Sequence, residues 1–130
     1  MACTQLKTVK ISGVKTIGSS AFEDCGKLEK VFLGEATQTL GECCFSGCIK
    51  LKKLVINSKK KLNWKIDQRI WQWNKLKIKP FNSCDSLKHV YLKSGKVSKS
   101  IKGVFEKKVT LHVPKGKEKA YRKYVKCRVV

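Results

Sequence analysis

The stretch IGSSAFEDCGKL, residues 17–28, returns 23 residues later as LGECCFSGCIKL, residues 40–51. Self-similarity at a fixed short period decides between a globule and a stack, because a unit of this size cannot bury its own hydrophobic side. Aligned on Cys and on Leu three positions later, the chain yields CTQLKTVKI from Cys3, CGKLEKVFL from Cys25, CIKLKKLVI from Cys48 and CDSLKHVYL from Cys84. A fifth, degenerate copy reads KKVTLHVP, with Lys108 where cysteine is expected. Each copy is Cys-x-x-Leu-x-x-(Val/Leu)-x-(Ile/Leu), and its final alternation is that of a short β-strand with one side in and the next out.

The other half of each unit ends in Phe, three residues before the next Cys position: Phe22, Phe45, Phe81 and Phe105. Their steps of 23, 36 and 24 place about 13 extra residues in one unit, between Ile56 and Phe81. The units run about 3–24, 25–47, 48–83 with an enlarged loop at 57–79, 84–107, and a degenerate C-terminal cap at 108–130. Stacking makes one core from equivalent residues: Phe fills the wide part of the cross-section and Cys, a small soft hydrophobe, fits a tight turn. Gly18 and Gly41 suit a corner with unusual dihedrals or close backbone approach. Stacked cysteines about 4.8 Å apart point in parallel directions, poor geometry for a disulfide. Cys3, Cys25, Cys48 and Cys84 are therefore read as packed thiols. The expected architecture is a leucine-rich-repeat solenoid: stacked short parallel β-strands joined by turns or short helical segments, closed by a C-terminal capping helix. Residues 115–126, KGKEKAYRKYVK, supply that helix, with Ala120, Tyr121, Tyr124 and Val125 on its packed side.

The skeleton Cys-x-x-Leu-x-x-Val followed by Ile-Gly-x-x-Ala-Phe-x-x-Cys resembles the BspA-like, treponemal-type leucine-rich repeats over nearly the whole chain. IGSSAFEDC and LGECCFSGC match closely, IKPFNSCDS more loosely and IKGVFEKKV poorly, while VTLHVPKGKEKAYRKYV is similar to that family's closing segment. The resemblance implies a cell-surface or secreted protein used in adhesion or protein binding, without catalysis. The chain departs from the family in its 13-residue enlargement and in beginning without an export signal. The latter leaves a cytoplasmic location open, as well as a mature or excised piece of an exported protein.

Charge narrows the class of partner. The formal net charge is +21, and it all falls after Cys48, because five lysines and five acidic residues cancel before it. Such a field attracts polyanions and is screened over about 8 Å at physiological ionic strength. The expected partner is a protein or an acidic glycan. A basic nucleic-acid-binding module is the first alternative, and a C-terminal fragment of a larger array with only a structural role is the second; the fragment would expose an uncapped apolar edge and associate end to end. No run of 18 apolar residues is present to span a bilayer. At 42% hydrophobic and 8% aromatic in 130 residues, the chain reads as one folded domain.

If Val9, Val31, Leu54, Val90 and Leu111 point inward, the residues beside them point out. One exposed column is then Lys10, Phe32, Val55, Tyr91 and His112; its neighbour contains Lys30, Lys53 and His89. Apolar and aromatic residues in register with a basic edge form a candidate binding strip, unless the enlarged loop or the tail covers them. The enlargement holds all three tryptophans, Trp64, Trp71 and Trp73, near Arg69. Leu62, Trp64 and Ile66, then Trp71, Trp73, Leu76 and Ile78, alternate with polar residues, which predicts two strands joined near Asp67 and Gln68. These tryptophans either stack bases or sugars beside the cations or pack the insertion onto its parent. CCFSGC raises the question of zinc, but Cys44 and Cys48 belong to the repeat and no second ligand pair stands at zinc spacing. No metal, cofactor or catalytic set is expected.

Overall fold

The computed structural model describes residues 3, 5–71 and 74–130, with the strands Asp67–Trp71 and Asn74–Ile78 described by their backbone. The chain winds as a parallel β-solenoid. Its elements are β1 (Thr8–Ile11), β2 (Thr16–Ile17), β3 (Lys30–Leu33), β4 (Thr39–Leu40), β5 (Lys53–Ile56), β6 (Asn63–Trp64), β7 (Asp67–Trp71), β8 (Asn74–Ile78), β9 (His89–Leu92), β10 (Thr110–His112), α1 (Glu118–Arg122) and β11 (Arg128–Val129). A six-stranded sheet runs β1-β3-β5-β9-β10-β11, and a three-stranded sheet β2-β4-β6 lies one corner further round each turn. All pairs within both sheets are parallel.

The strand register follows the repeat. Val9 pairs with Val31, Val31 with Leu54, Leu54 with Val90, and Val90 with Leu111. All five are buried, so period-two alternation places one aliphatic residue of every turn at the same height in the core. The phenylalanines form a second ladder. Phe22 and Phe45 stack at 5.2 Å and 5°, Phe45 and Phe81 at 5.4 Å and 4°, and Phe81 and Phe105 at 5.5 Å and 29°.

Cysteine occurs at its position for a reason beyond size. The Cys48 thiol donates to the Phe22 carbonyl at 3.2 Å, and the Cys84 thiol to the Phe45 carbonyl at 3.0 Å, each reaching the preceding turn. Each of these carbonyls, outside the strand ladders, already accepts one backbone N–H, from Cys25 and Cys48 respectively, and the thiol fills its second acceptor site with a bond between turns. Burial pushes the Cys48 thiol up to about 12 and raises Cys25, Cys44, Cys84 and Cys127 as well, so these sulfurs remain protonated donors at neutral pH. The residues before Cys25, Cys48 and Cys84 adopt the left-handed conformation, with φ of 59° at Asp24, 75° at Gly47 and 60° at Ser83. Asp and Ser tolerate this region better than larger or β-branched residues do.

Several local expectations change. Trp64 continues the second sheet, pairing with Leu40 as Leu40 pairs with Ile17. The hairpin comes after it: β7 and β8 pair antiparallel from Asp67–Ile78 to Trp71–Asn74, so Asp67 and Gln68 begin a strand instead of joining two. One residue of the enlargement precedes Trp64, and the twelve of the hairpin follow it. In the fifth copy Val109 donates to Glu106 as Leu87 does to Cys84, so Glu106, not Lys108, takes the cysteine's backbone position and the Lys108 side chain lies exposed. The helix α1 covers only Glu118–Arg122, and Ala120 faces solvent. Tyr121 anchors α1, buried and donating its hydroxyl to the Ser94 carbonyl at 2.5 Å. After α1 the chain adds β11 as a sixth strand, which closes the sheet beyond β10.

Candidate functional site: the outer strand face

Outward-facing residues of the large sheet lie in two straight columns. Lys10 pairs with Phe32, Phe32 with Val55, Val55 with Tyr91, and Tyr91 with His112. In the neighbouring column Thr8, Lys30, Lys53, His89 and Thr110 follow in the same register. Five strands at the usual interstrand spacing make a strip about 20 Å long. Phe32, Val55, Tyr91 and His112 are half-buried, and Lys10, Lys30 and His89 are exposed. No described residue outside the strands closes over them as a lid: depressions of about 550 Å³ and 470 Å³ open on this face beside Lys10, Lys30 and Phe32 and beside Lys53, Val55, Tyr91 and His112. Asn57, just past β5, borders both.

Side-chain order within the strip comes from ring and cation contacts. The Lys53 ammonium stands 5.9 Å from the Phe32 ring centre and 5.2 Å from that of Tyr91, bridging two aromatic faces. Lys10 sits 5.7 Å from the Phe32 ring on its other side. Each contact at an exposed site is worth about 0.5–1 kcal/mol, enough to bias the long lysine chains toward one arrangement. Tyr91 stacks on His112 at 4.1 Å and 8°, and His89 Nδ1 lies 3.1 Å from His112 Nε2.

That histidine pair makes the strip sensitive to pH. One ring must donate and the other accept, so the bond exists only while at least one of them is neutral. Burial, then the neighbouring His89, then Arg128 hold the pKa of His112 below its ordinary 6.5. The unfolded chain therefore takes up a proton near 6.5 while the folded ring stays neutral. The stability this ring contributes is complete above 6.5 and is lost as pH falls from there through the lowered folded value. Urea midpoints measured at pH 7.5 and 5.5 are expected to drop further for the wild type than for His112→Gln. Equal drops would show that His112 does not contribute.

Residues assigned to the enlarged loop fare differently. Trp64 is 3% exposed, edge-on to Phe105 at 5.3 Å and 79° and tilted on Phe81 at 6.2 Å, so it is a core residue with no face left for a ligand. Its place in the second sheet explains this, since Ile17 and Leu40 hold the equivalent buried positions. The side chains of Arg69 and Trp71, and all of Trp73, lie outside the described residues. Sequence reasoning misses Arg128, which pairs with Thr110 and extends the second column by another cation. The only signal for it is RVV at residues 128–130, too short to be read as a strand without its partner. Among the described residues no group of three or more His, Cys, Asp or Glu is placed to hold a metal ion, and no helix there is long and apolar enough to cross a membrane.

The BspA type leucine-rich repeat region matches residues 1–112, in six copies. The crystal structure of the pneumococcal vaccine antigen PcpA shares the fold, with a TM-score of 0.58 at 18% identity. The match covers 90% of this chain and 27% of that one, so the chain spans about a quarter of its length. No curated protein sequence matches the chain significantly.

Proposed function

Because the chain belongs to the BspA-type leucine-rich repeat family, we propose that it is a non-catalytic binding module whose outer strand face recognises a protein partner at a cell surface or outside the cell. The observation that carries this reading is the in-register column Phe32, Val55, Tyr91 and His112, ordered by Lys10 and Lys53. Half-buried aromatic anchors beside a polar, charged edge are what a recognition surface needs: large contact area at low cost in conformational freedom. Lys30, Lys53 and Arg128 in the neighbouring column favour a partner with carboxylates or other acidic groups facing them, and such complementarity speeds encounter and fixes orientation. Adhesion is the role that fits such a surface, and the likeness in fold to a vaccine antigen supports an exposed location.

The test is a binding screen of the purified chain against extracellular-matrix proteins, mucin, heparin and single-stranded DNA, at low and at physiological salt. Binding to one protein should persist at physiological salt and weaken by about tenfold or more in Tyr91→Ala, the size of a central anchor's contribution. Binding to every polyanion, abolished by salt and indifferent to Tyr91→Ala, would overturn the reading and reduce the charge to a general attraction.

A further inference from the structure

A second concavity, sharing no residue with the strand face, lies near the C-terminal end of the solenoid. It is bounded by the base of the β7–β8 hairpin, the turn from Ile101 to Lys107 and the chain from Arg122 to Lys126, and encloses about 690 Å³. That volume is within the usual range for small-ligand sites, about 300–1,000 Å³. Four sequence-distant segments meet there, so no single motif announces it.

Its lining divides by chemistry. Ile66, Ile101, Phe105 and Val125 provide an apolar base, with Ile101 and Phe105 belonging to the core. Lys79, Lys102, Lys107, Arg122, Lys123 and Lys126 provide the cations. Among the described residues the single acidic group in the lining is Glu106, which already pairs with Lys108 at 3.6 Å. Two of the cations are held in place. Arg122 donates to the Val129 carbonyl at 3.0 Å, which uses one of its five N–H donors, and the Lys123 ammonium sits 5.5 Å over the Tyr124 ring.

We propose that this cleft binds a short acidic peptide segment, on a partner protein, that carries an aliphatic or aromatic side chain between its carboxylates. Charge complementarity requires an anion, and the apolar base selects among anions. A sulfated glycan would set hydrated charge against Ile66, Ile101 and Val125, at a desolvation cost with no return. Single-stranded nucleic acid needs open stacking platforms, and the two aromatic residues of the lining offer none: Phe105 is buried in the core, and the Tyr124 ring already carries the Lys123 ammonium. Glu106 repels a continuous polyanion, yet it accepts a backbone N–H, which a peptide supplies and a phosphodiester does not. A Leu or Phe side chain on the apolar base, with carboxylates reaching Arg122 and the surrounding lysines, satisfies every group in the lining.

The experiment uses the full chain and a fluorescein-labelled peptide, Glu-Asp-Phe-Glu-Asp-Leu-Glu, followed by fluorescence anisotropy at physiological salt. A control peptide replaces Phe and Leu by Ser at unchanged charge. The apolar peptide is expected to bind about tenfold tighter than the control, since burying even part of two such side chains exceeds the free energy of a tenfold ratio. The pair Lys102→Glu and Lys126→Glu, both exposed positions that leave the core intact, should weaken it by about tenfold. The pair Lys7→Glu and Lys15→Glu, an equal charge change in the first turn, should leave binding as it is. In NMR spectra the peptide should shift the resonances of Ile101, Phe105 and Val125. Equal affinity for the serine control, an equal effect of the Lys7 and Lys15 pair, or no shift at those three residues would overturn the proposal. So would heparin or single-stranded DNA that binds the cleft more tightly than the peptide and is lost in the Lys102 and Lys126 variant; the occupant would then be a glycan or a nucleic acid.

Discussion

Replacing Phe45 with alanine is expected to lower the unfolding free energy by about 3–5 kcal/mol, the cost of truncating a buried aromatic ring and leaving its cavity. The side chain is fully buried, with Phe22 on one face and Phe81 on the other, both nearly parallel to it. Neither neighbour can close the gap, because backbone bonds between turns fix their spacing: the Phe22 N–H donates to the Cys44 carbonyl in the second turn, and the Phe45 N–H to the Pro80 carbonyl in the third. Against a total stability of about 5–15 kcal/mol for a domain, this is a large fraction. In a stack, each turn is stabilised chiefly by its neighbours, so the loss falls on both interfaces of the second turn, with the first and with the third. Urea or thermal unfolding should show a melting point lower by about 10 °C or more, with Lys59→Ala, an exposed residue, as the reference near zero. Equal melting temperatures for the two variants would remove the stacked-core account.

The strand face is legible in the sequence for the same reason that the core is. Once the copies are aligned on Cys and Leu, side-chain period two decides which residues share a column, and the pairing of Phe32, Val55 and Tyr91 follows without knowledge of any turn. Periodicity does not mark where one strand stops and another kind begins. Leu62, Trp64 and Ile66 alternate into β7 without a break, although Trp64 closes a parallel rung and Asp67 opens an antiparallel hairpin; only the partner strand, β4 in one case and β8 in the other, distinguishes them. The tail is hidden for a different reason. Two residues of β11 carry too little pattern, and Ala120 looks like a packed helix position until Tyr121 is seen to do the anchoring. The basic cleft is beyond sequence reasoning altogether, since its lining comes from four stretches that only the winding of the solenoid brings together.

Gly18 and Gly41 occupy the same place in successive repeats and are indistinguishable by motif, yet Gly41→Ala is expected to destabilise by about 2–3 kcal/mol while Gly18→Ala is expected to be neutral or to stabilise by up to about 1 kcal/mol. Neither backbone is in the left-handed region, so the difference is one of space. A Cβ on Gly41 would lie 2.6 Å from the Ser19 nitrogen and 2.8 Å from both the Gly18 carbonyl carbon and the Ile17 oxygen; on Gly18 it would meet nothing within 4 Å. All three atoms facing Gly41 are backbone, so no rotamer change relieves the contact. The two turns must separate locally, and the bond from Gly41 N–H to the Ile17 carbonyl, 2.8 Å, is stretched with them. Gly18 belongs to the first turn and has no described coil beneath it, so its alanine variant only restricts the unfolded chain. Equilibrium urea unfolding of both variants measures the contrast. Equal destabilisation would mean that glycine serves a backbone conformation common to both positions, whereas an effect confined to Gly41 would show that it is the turn-to-turn approach, present only where one coil rests on another, that forbids a side chain there.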